Sequence, residues 1–175
     1  MLARNPNKLN IRYSVLPKPS DPIDVLYPFI NALISGKKAE KCLCFCRTYD
    51  DTSKIYEVVA LELSRNNALF PPSSHPDVAL YGSKIRTCEK FDACTSNSVK
   101  SRIIESFSKC DGAVRIVIST VAFSMGMDVP NIHTIVHWGP PNDVESYVQE
   151  RKRWGCYKCY FILQLKRHCE VRTCA

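Results

Sequence analysis

The sequence predicts an α/β protein, a parallel sheet with helices on both faces. Three observations carry this. Residues 42–46, 114–118 and 134–137 are short apolar runs without alternation, the pattern of strands buried on both faces. Between them, apolar residues recur at helical spacing. Capping and breaking residues mark the junctions, such as Asp21-Pro22, Gly36 and Asp111-Gly112. Strands alternating with helices imply a parallel sheet closed by right-handed crossovers.

Taken in order, residues 11–16 read as a first strand, ended by Pro17 and Pro19. Asp21 is a helix N-cap and Pro22 suits the first helical position. Ile23, Leu26, Tyr27, Ile30, Leu33 and Ile34 follow on one helical face, and Gly36 closes it. Pro28 inside that helix predicts a kink or a late start. Cys42–Cys46 is the next strand, with small thiols filling a central position rather than holding a metal. Three ligands on one straight strand would splay too far for a tetrahedral site. Asp50 and Asp51 would cap a helix to about residue 66, with Ile55, Val58, Val59 and Leu63 inward. Residues 67–76 read as a loop, 78–81 as a short strand, and 82–96 as irregular. Ser96 or Asn97 caps a helix bearing Ile103, Ile104 and Phe107. Asp111-Gly112 turns into the strand at Val114, and Asp143 caps a last helix towards Gln149.

The 175 residues favour one domain, and 45% apolar content is enough for a core. No stretch approaches the roughly eighteen apolar residues of a membrane span. The first residues lack the apolar run of a signal peptide. With an α/β pattern and no export signal, the ten cysteines read as reduced thiols of a cytosolic or nuclear protein. The net charge of +7 suggests nucleic acid, but its distribution is uneven. Residues 151–175 carry seven Lys/Arg and one acid, so residues 1–150 hold a net charge of only +1. Four of the ten cysteines also fall in the last twenty residues.

Chemistry concentrates between Val114 and Glu150. Ser119 and Thr120 end a strand with hydroxyls; a bend at Ser124-Met125-Gly126-Met127-Asp128 and the Val129-Pro130 break follow. Ligand contacts of open α/β sheets lie just past the carboxyl ends of strands, where Thr120 and Asp128 fall. The runs S-T-V-A-F-S-M-G-M-D-V-P, H-W-G-P-P and E-S-Y-V-Q-E resemble motifs V and VI of RecQ-like superfamily 2 DNA helicases in type, order and spacing. Back to Asn10 the chain resembles the second, C-terminal RecA-like (P-loop NTPase-like) lobe of such enzymes more loosely.

The resemblance implies roles by position. Thr120 would hold a DNA phosphate, a contact that positions a strand without reading its sequence. Gly126 and Asp128 would face the nucleotide cleft, the carboxylate reaching the ATP ribose. Thr48, after Arg47 in a motif IV-like position, and Gly82, after Tyr81, would lie near the DNA path. Gln149 opens motif VI. The family continues into G-R-x-G-R, whose arginines stabilise charge on the transferring phosphoryl group. Here Arg151-Lys152-Arg153 follow without the glycines that set that loop. His137 and Trp138 read as packing residues of a corner.

Neither a G-x-x-x-x-G-K-[ST] phosphate loop nor a D-E-x-H box is present, so the chain reads as one half of an ATP site, inactive alone. The implied function is ATP-driven 3′-to-5′ unwinding of DNA, single strand or junction, with ATP and Mg²⁺ shared with a missing N-terminal lobe. The competing reading is a catalytically inactive nucleic-acid-binding lobe or a truncated gene product.

Residues 151–175 are expected to be a frame-shifted or mis-spliced end, separate from a domain at 1–150. Glu-Thr-Gly-Arg-Gly-Gly can be written GAA ACA GGA AGA GGT GGG. Deleting AC gives GAA AGG AAG AGG TGG G, which encodes the residues found from Glu150 to Trp154. Such a tail should pack poorly and leave the last strand position of the sheet unfilled or badly filled. The rival is a zinc site from Cys156, Cys159, Cys169 and Cys174, with His168 as alternate ligand; the spacing of the second pair is wrong for it.

Overall fold

The computed structural model describes residues 12–17, 19–120, 129, 132–139 and 158–163. They form a six-stranded, wholly parallel sheet: β1 (Arg12–Pro17), β2 (Cys42–Cys46), β3 (Cys88–Phe91), β4 (Ile116–Ser119), β5 (Thr134–Trp138) and β6 (Lys158–Leu163). Their spatial order is β1-β6-β5-β2-β4-β3. The helices are α1 (Ile23–Ile34), α2 (Tyr49–Arg65), α3 (Pro76–Tyr81) and α4 (Asn97–Ser108). No helix among the described residues is long and apolar enough to cross a membrane.

Side-chain alternation on the central strands divides the core. Cys42, Cys44 and Cys46 of β2, Ile116 and Ile118 of β4, and Val136 and Trp138 of β5 pack with Leu26 and Ile30 of α1 and Ile55, Val59 and Leu63 of α2. Leu43, Phe45, Val117 and Ile135 face the other way, onto Ile103 and Phe107 of α4. Helices therefore cover both faces, as expected. The three β2 cysteines are free, buried thiols in the first cluster. Burial holds the Cys42 thiol far above its ordinary pKa, so it behaves as an inert small hydrophobe.

Local chemistry sets the boundaries. Asp21 Oδ1 accepts the Ile23 N–H at 2.9 Å, satisfying an orphan donor at the start of α1. Pro28 lies within α1 without ending it. Gly36, at φ +64°, closes the helix in the left-handed region, with Gly36 N–H donating to Leu33 O and Lys37 N–H to Ala32 O. The cap of α2 is Thr48, not Asp50 or Asp51: its Oγ1 accepts the Asp51 N–H at 3.0 Å and donates to Asp51 Oδ2 at 2.7 Å.

Three expectations are corrected. Residues 78–81 belong to helix α3 rather than a strand. Pro76 occupies its first turn and His75 Nδ1 accepts the Asp77 N–H at 3.1 Å, a start signal that four apolar residues had masked. The stretch 82–96 is not irregular; it contains β3. Finally, the sheet position beside β5 is filled. Residues 158–163 pair in continuous register with β1, from Arg12↔Lys158 to Pro17↔Leu163, and with β5, from Thr134↔Lys158 to Trp138↔Ile162. Tyr160, Phe161 and Ile162 are strong strand formers within this six-residue strand. The sheet thus takes in residues on both sides of the boundary expected at Glu150.

Buried Asp77 is the main polar tie under the sheet. Its carboxylate accepts from Ser106 Oγ at 2.5 Å, Ala113 N–H at 2.8 Å and Lys109 Nζ at 3.2 Å, joining α3, the end of α4 and the approach to β4. Burial alone would raise its pKa, but these donors and the Lys109 charge together hold it below the usual carboxylate value. Gly112 lies against this junction, and a Cβ there would stand 1.7 Å from Ser106 O.

Candidate nucleic-acid interface

Because every strand is parallel, all carboxyl ends lie along one edge of the sheet. The segments leaving β2, β4, β3 and β5 there are Arg47-Thr48, Thr120, residues 92–96 and Gly139. Register makes them neighbours: Phe45 and Phe91 each pair with Ser119. Thr48 and Thr120 therefore leave adjacent strands at the same edge.

The two threonines differ chemically. Thr48 is exposed, but its hydroxyl is engaged by the α2 cap in both directions. Thr120 is buried, 7% exposed. The turn is pinned from behind: the Ser119 hydroxyl lies 2.6 Å from Phe91 O and 2.7 Å from Thr120 O, offering its one proton between them. Arg47 and Tyr49 are exposed beside this edge.

The β3–α4 loop was missed from the sequence because β3 was missed. It is built around buried Asp92, whose Oδ1 accepts the Thr95 N–H and the Thr95 hydroxyl, both at 3.0 Å. Lys90 Nζ lies 3.2 Å from its Oδ2. Burial pushes the Asp92 pKa up, and the Lys90 and Thr95 donors outweigh it, leaving the carboxyl below its ordinary value. Lys100 Nζ reaches Ala93 O at 3.5 Å and sits over the Phe91 ring. Cys94 is exposed in this loop.

Gly82, expected from the resemblance to lie near the DNA path, is not at this edge. It closes α3 with φ +63° and leads through a 3-10 turn, Gly82–Lys84, to the start of β3. The neighbouring Tyr81 ring lies under Lys109 Nζ, at the end of α4. That places Gly82 at the amino end of the sheet.

His137 ends β5 and stacks on Phe45 with ring centroids 5.5 Å apart and planes at 27°. Burial alone depresses its pKa to about 4, so the ring is neutral at pH 7. It packs the corner before Gly139, as expected. Gly126, Asp128, Gln149, Arg151 and Arg153, the residues expected to touch nucleotide, lie outside the described residues, as do the side chains of Cys156, Cys159, His168, Cys169 and Cys174.

The model of the helicase conserved C-terminal domain matches residues 24–158. The chain belongs to this family. Human ATP-dependent DNA helicase Q4 is 30% identical over 126 residues, which cover 70% of this chain and 10% of that protein. ATP-dependent DNA helicase RecQ of Pasteurella multocida is 25% identical over 146 residues, 83% of this chain and 18% of that protein. The helicase lobe therefore spans a tenth to a fifth of these two relatives. Among solved structures, Mss116p bound to ssRNA and AMP-PNP superposes with TM-score 0.64 at 17% identity, over 89% of this chain and 28% of that one. The helicase MrfA bound to DNA gives TM-score 0.60 at 15% identity, over 88% of this chain and 19% of that one. These likenesses establish the RecA-like fold. The chain is the C-terminal lobe of a superfamily 2 helicase with RecQ-type relatives.

Proposed function

We propose that this lobe contributes DNA-backbone contacts and one wall of the ATP cleft to a RecQ-like 3′-to-5′ DNA helicase. Its partners in that reading are a DNA strand and a first lobe carrying the phosphate loop and the Mg²⁺-binding acids. The observation that carries it is the Thr120 turn: a strand-end threonine whose backbone is held by the Ser119 hydroxyl, inside the S-T-V-A-F-S-M-G-M-D run. Phosphate binding by a hydroxyl and adjacent amides at a strand end positions a nucleic-acid backbone independently of sequence. Asp128 and the motif VI arginines belong to the nucleotide side of the same reading, with ATP supplying the energy for lobe closure.

The test is titration of the purified chain with a fluorescent single-stranded oligonucleotide. Thr120→Val should weaken binding roughly 5- to 30-fold, the effect of one or two hydrogen bonds. Thr48→Val should lower stability by about 1 kcal/mol through loss of the α2 cap while leaving DNA affinity nearly unchanged. Equal DNA affinity in wild type and Thr120→Val overturns the assignment.

The frame shift after Glu150 is retained as a proposal, in a form compatible with a filled strand position. Codons permitted for residues 156–164, read in the frame that restores Gly-Arg-Gly-Gly, can encode Ala-Thr-Asn-Ala-Thr-Leu-Phe-Tyr-Asn. T-rich codons specify apolar residues in more than one frame, so either reading supplies an apolar strand here. Sequencing the transcript across codon 150 decides it: an uninterrupted frame reading Glu-Arg-Lys-Arg-Trp removes the proposal.

A further inference from the structure

The amino-terminal end of the sheet carries a cavity that strand binding leaves unused. Its volume is about 700 Å³. It lies between the last turns of α1 and α2, the loop at 67–75 and the approach to β4. One wall is apolar, formed by Leu33, Ile34 and the Phe70 ring beside Pro71. Phe70 is 51% exposed, a large aromatic face left open to solvent in a loop that could have placed a polar residue there. The other wall is cationic: Lys37, Lys38 and Arg115. None of the three has a carboxylate at ion-pair distance among the described residues. No acidic residue lines the cavity; Asp111 attracts Arg115 only at longer range.

Charge selects the occupant. The chain's own terminal segments are unsuited: residues 1–11 contain Arg4 and Lys8 and no acid, and residues 164–175 contain three Lys/Arg against Glu170. A nucleic-acid strand needs a cationic track along its backbone with aromatic platforms for several bases. Here three cations share one cavity with a few apolar side chains, at the end of the sheet opposite Thr120. We propose that this cavity docks an acidic segment of a partner protein, with one aromatic or aliphatic side chain against Phe70 and Leu33 and carboxylates meeting Lys37, Lys38 and Arg115. This matches the anatomy of a small interface, an apolar anchor in a pocket with a charged rim. The geometry does not depend on helicase activity.

The test uses the purified chain and a fluorescein-labelled peptide of alternating Asp and Glu with one central Phe. Saturable binding in the micromolar range is expected. It should weaken at least tenfold in the Lys37→Glu, Lys38→Glu double variant and on replacing the peptide's Phe with Ser, and it should survive an excess of oligothymidylate. Lys37 and Lys38 are exposed, so the double variant should keep the wild-type melting profile. Phe70→Ser gives an independent check on the apolar wall. No saturation below about 1 mM, where binding is worth only ~4 kcal/mol, overturns the proposal. Undiminished binding by the double variant, or displacement by oligothymidylate, does so as well.

Discussion

Acid should loosen this fold through His137. The imidazole is 4% exposed, stacked on Phe45, and its pKa falls from 6.5 in the unfolded chain to about 4 in the folded one. Between those values the unfolded state holds a proton that the folded state does not, so stability rises with pH across the window. The contribution is fully present above pH 6.5 and is lost as pH falls towards 4. From pH 7.5 to pH 5.0 the loss is about 2 kcal/mol, approaching about 3 kcal/mol below pH 4. Buried Glu89 acts in the opposite sense. Its burial raises its pKa despite Arg102 and Arg86, so its contribution is present at low pH and lost as pH rises. The comparison must therefore be between two proteins. Urea unfolding of wild type and His137→Phe at pH 7.5 and 5.0 isolates the imidazole: the variant should lose about 2 kcal/mol less on acidification. NMR titration of the His137 ring in the wild type gives a second reading, with a midpoint well below 6. Equal acid sensitivity of the two proteins, or a ring titrating near 6.5, refutes the reasoning.

Asp77→Ala leaves the Ser106 hydroxyl, the Ala113 N–H and Lys109 without their shared acceptor and should cost about 2–4 kcal/mol by urea unfolding. Gly112→Ala drives a methyl into the Ser106 carbonyl, so the α4–β4 turn must move, with a loss of about 1–3 kcal/mol in the same assay. In a two-lobe enzyme, Asp128→Ala should weaken nucleotide affinity and spare DNA affinity, the reverse of Thr120→Val. The purified 175-residue chain should release no phosphate from ATP with or without DNA; DNA-stimulated release above a mock preparation contradicts the half-site reading.

The central strands were legible because burial on both faces leaves an unbroken apolar record: Cys42–Cys46 is buried at every position. The helices α1, α2 and α4 showed themselves by period. β3 was hidden by Glu89 and Lys90. Glu89 is buried and bonded to Arg102 of α4, a solution that no local pattern announces. The resemblance put Gly82 near the DNA path; in the structure it closes α3 and leads to the start of β3. The loop around Asp92, which does reach the carboxyl edge, went unseen. The strand that Thr120 follows was legible as an apolar run, and so was the one before Thr48, whose hydroxyl is engaged by the helix it starts.

The sheet order couples the two extremes of the chain in time as well as in space. β1 is made first and β6 last, and β1 pairs with no strand but β6 among the described residues. On the ribosome, residues 12–17 must stay without a ladder until residues 158–163 emerge from the exit tunnel. Four of the six strands, β2, β3, β4 and β5, can assemble before then. β1 is therefore the segment longest open to chaperones or to pairing with a neighbouring nascent chain. A ribosome stalled between codons 138 and 158 would release a molecule with β5 as a bare edge and its first strand loose.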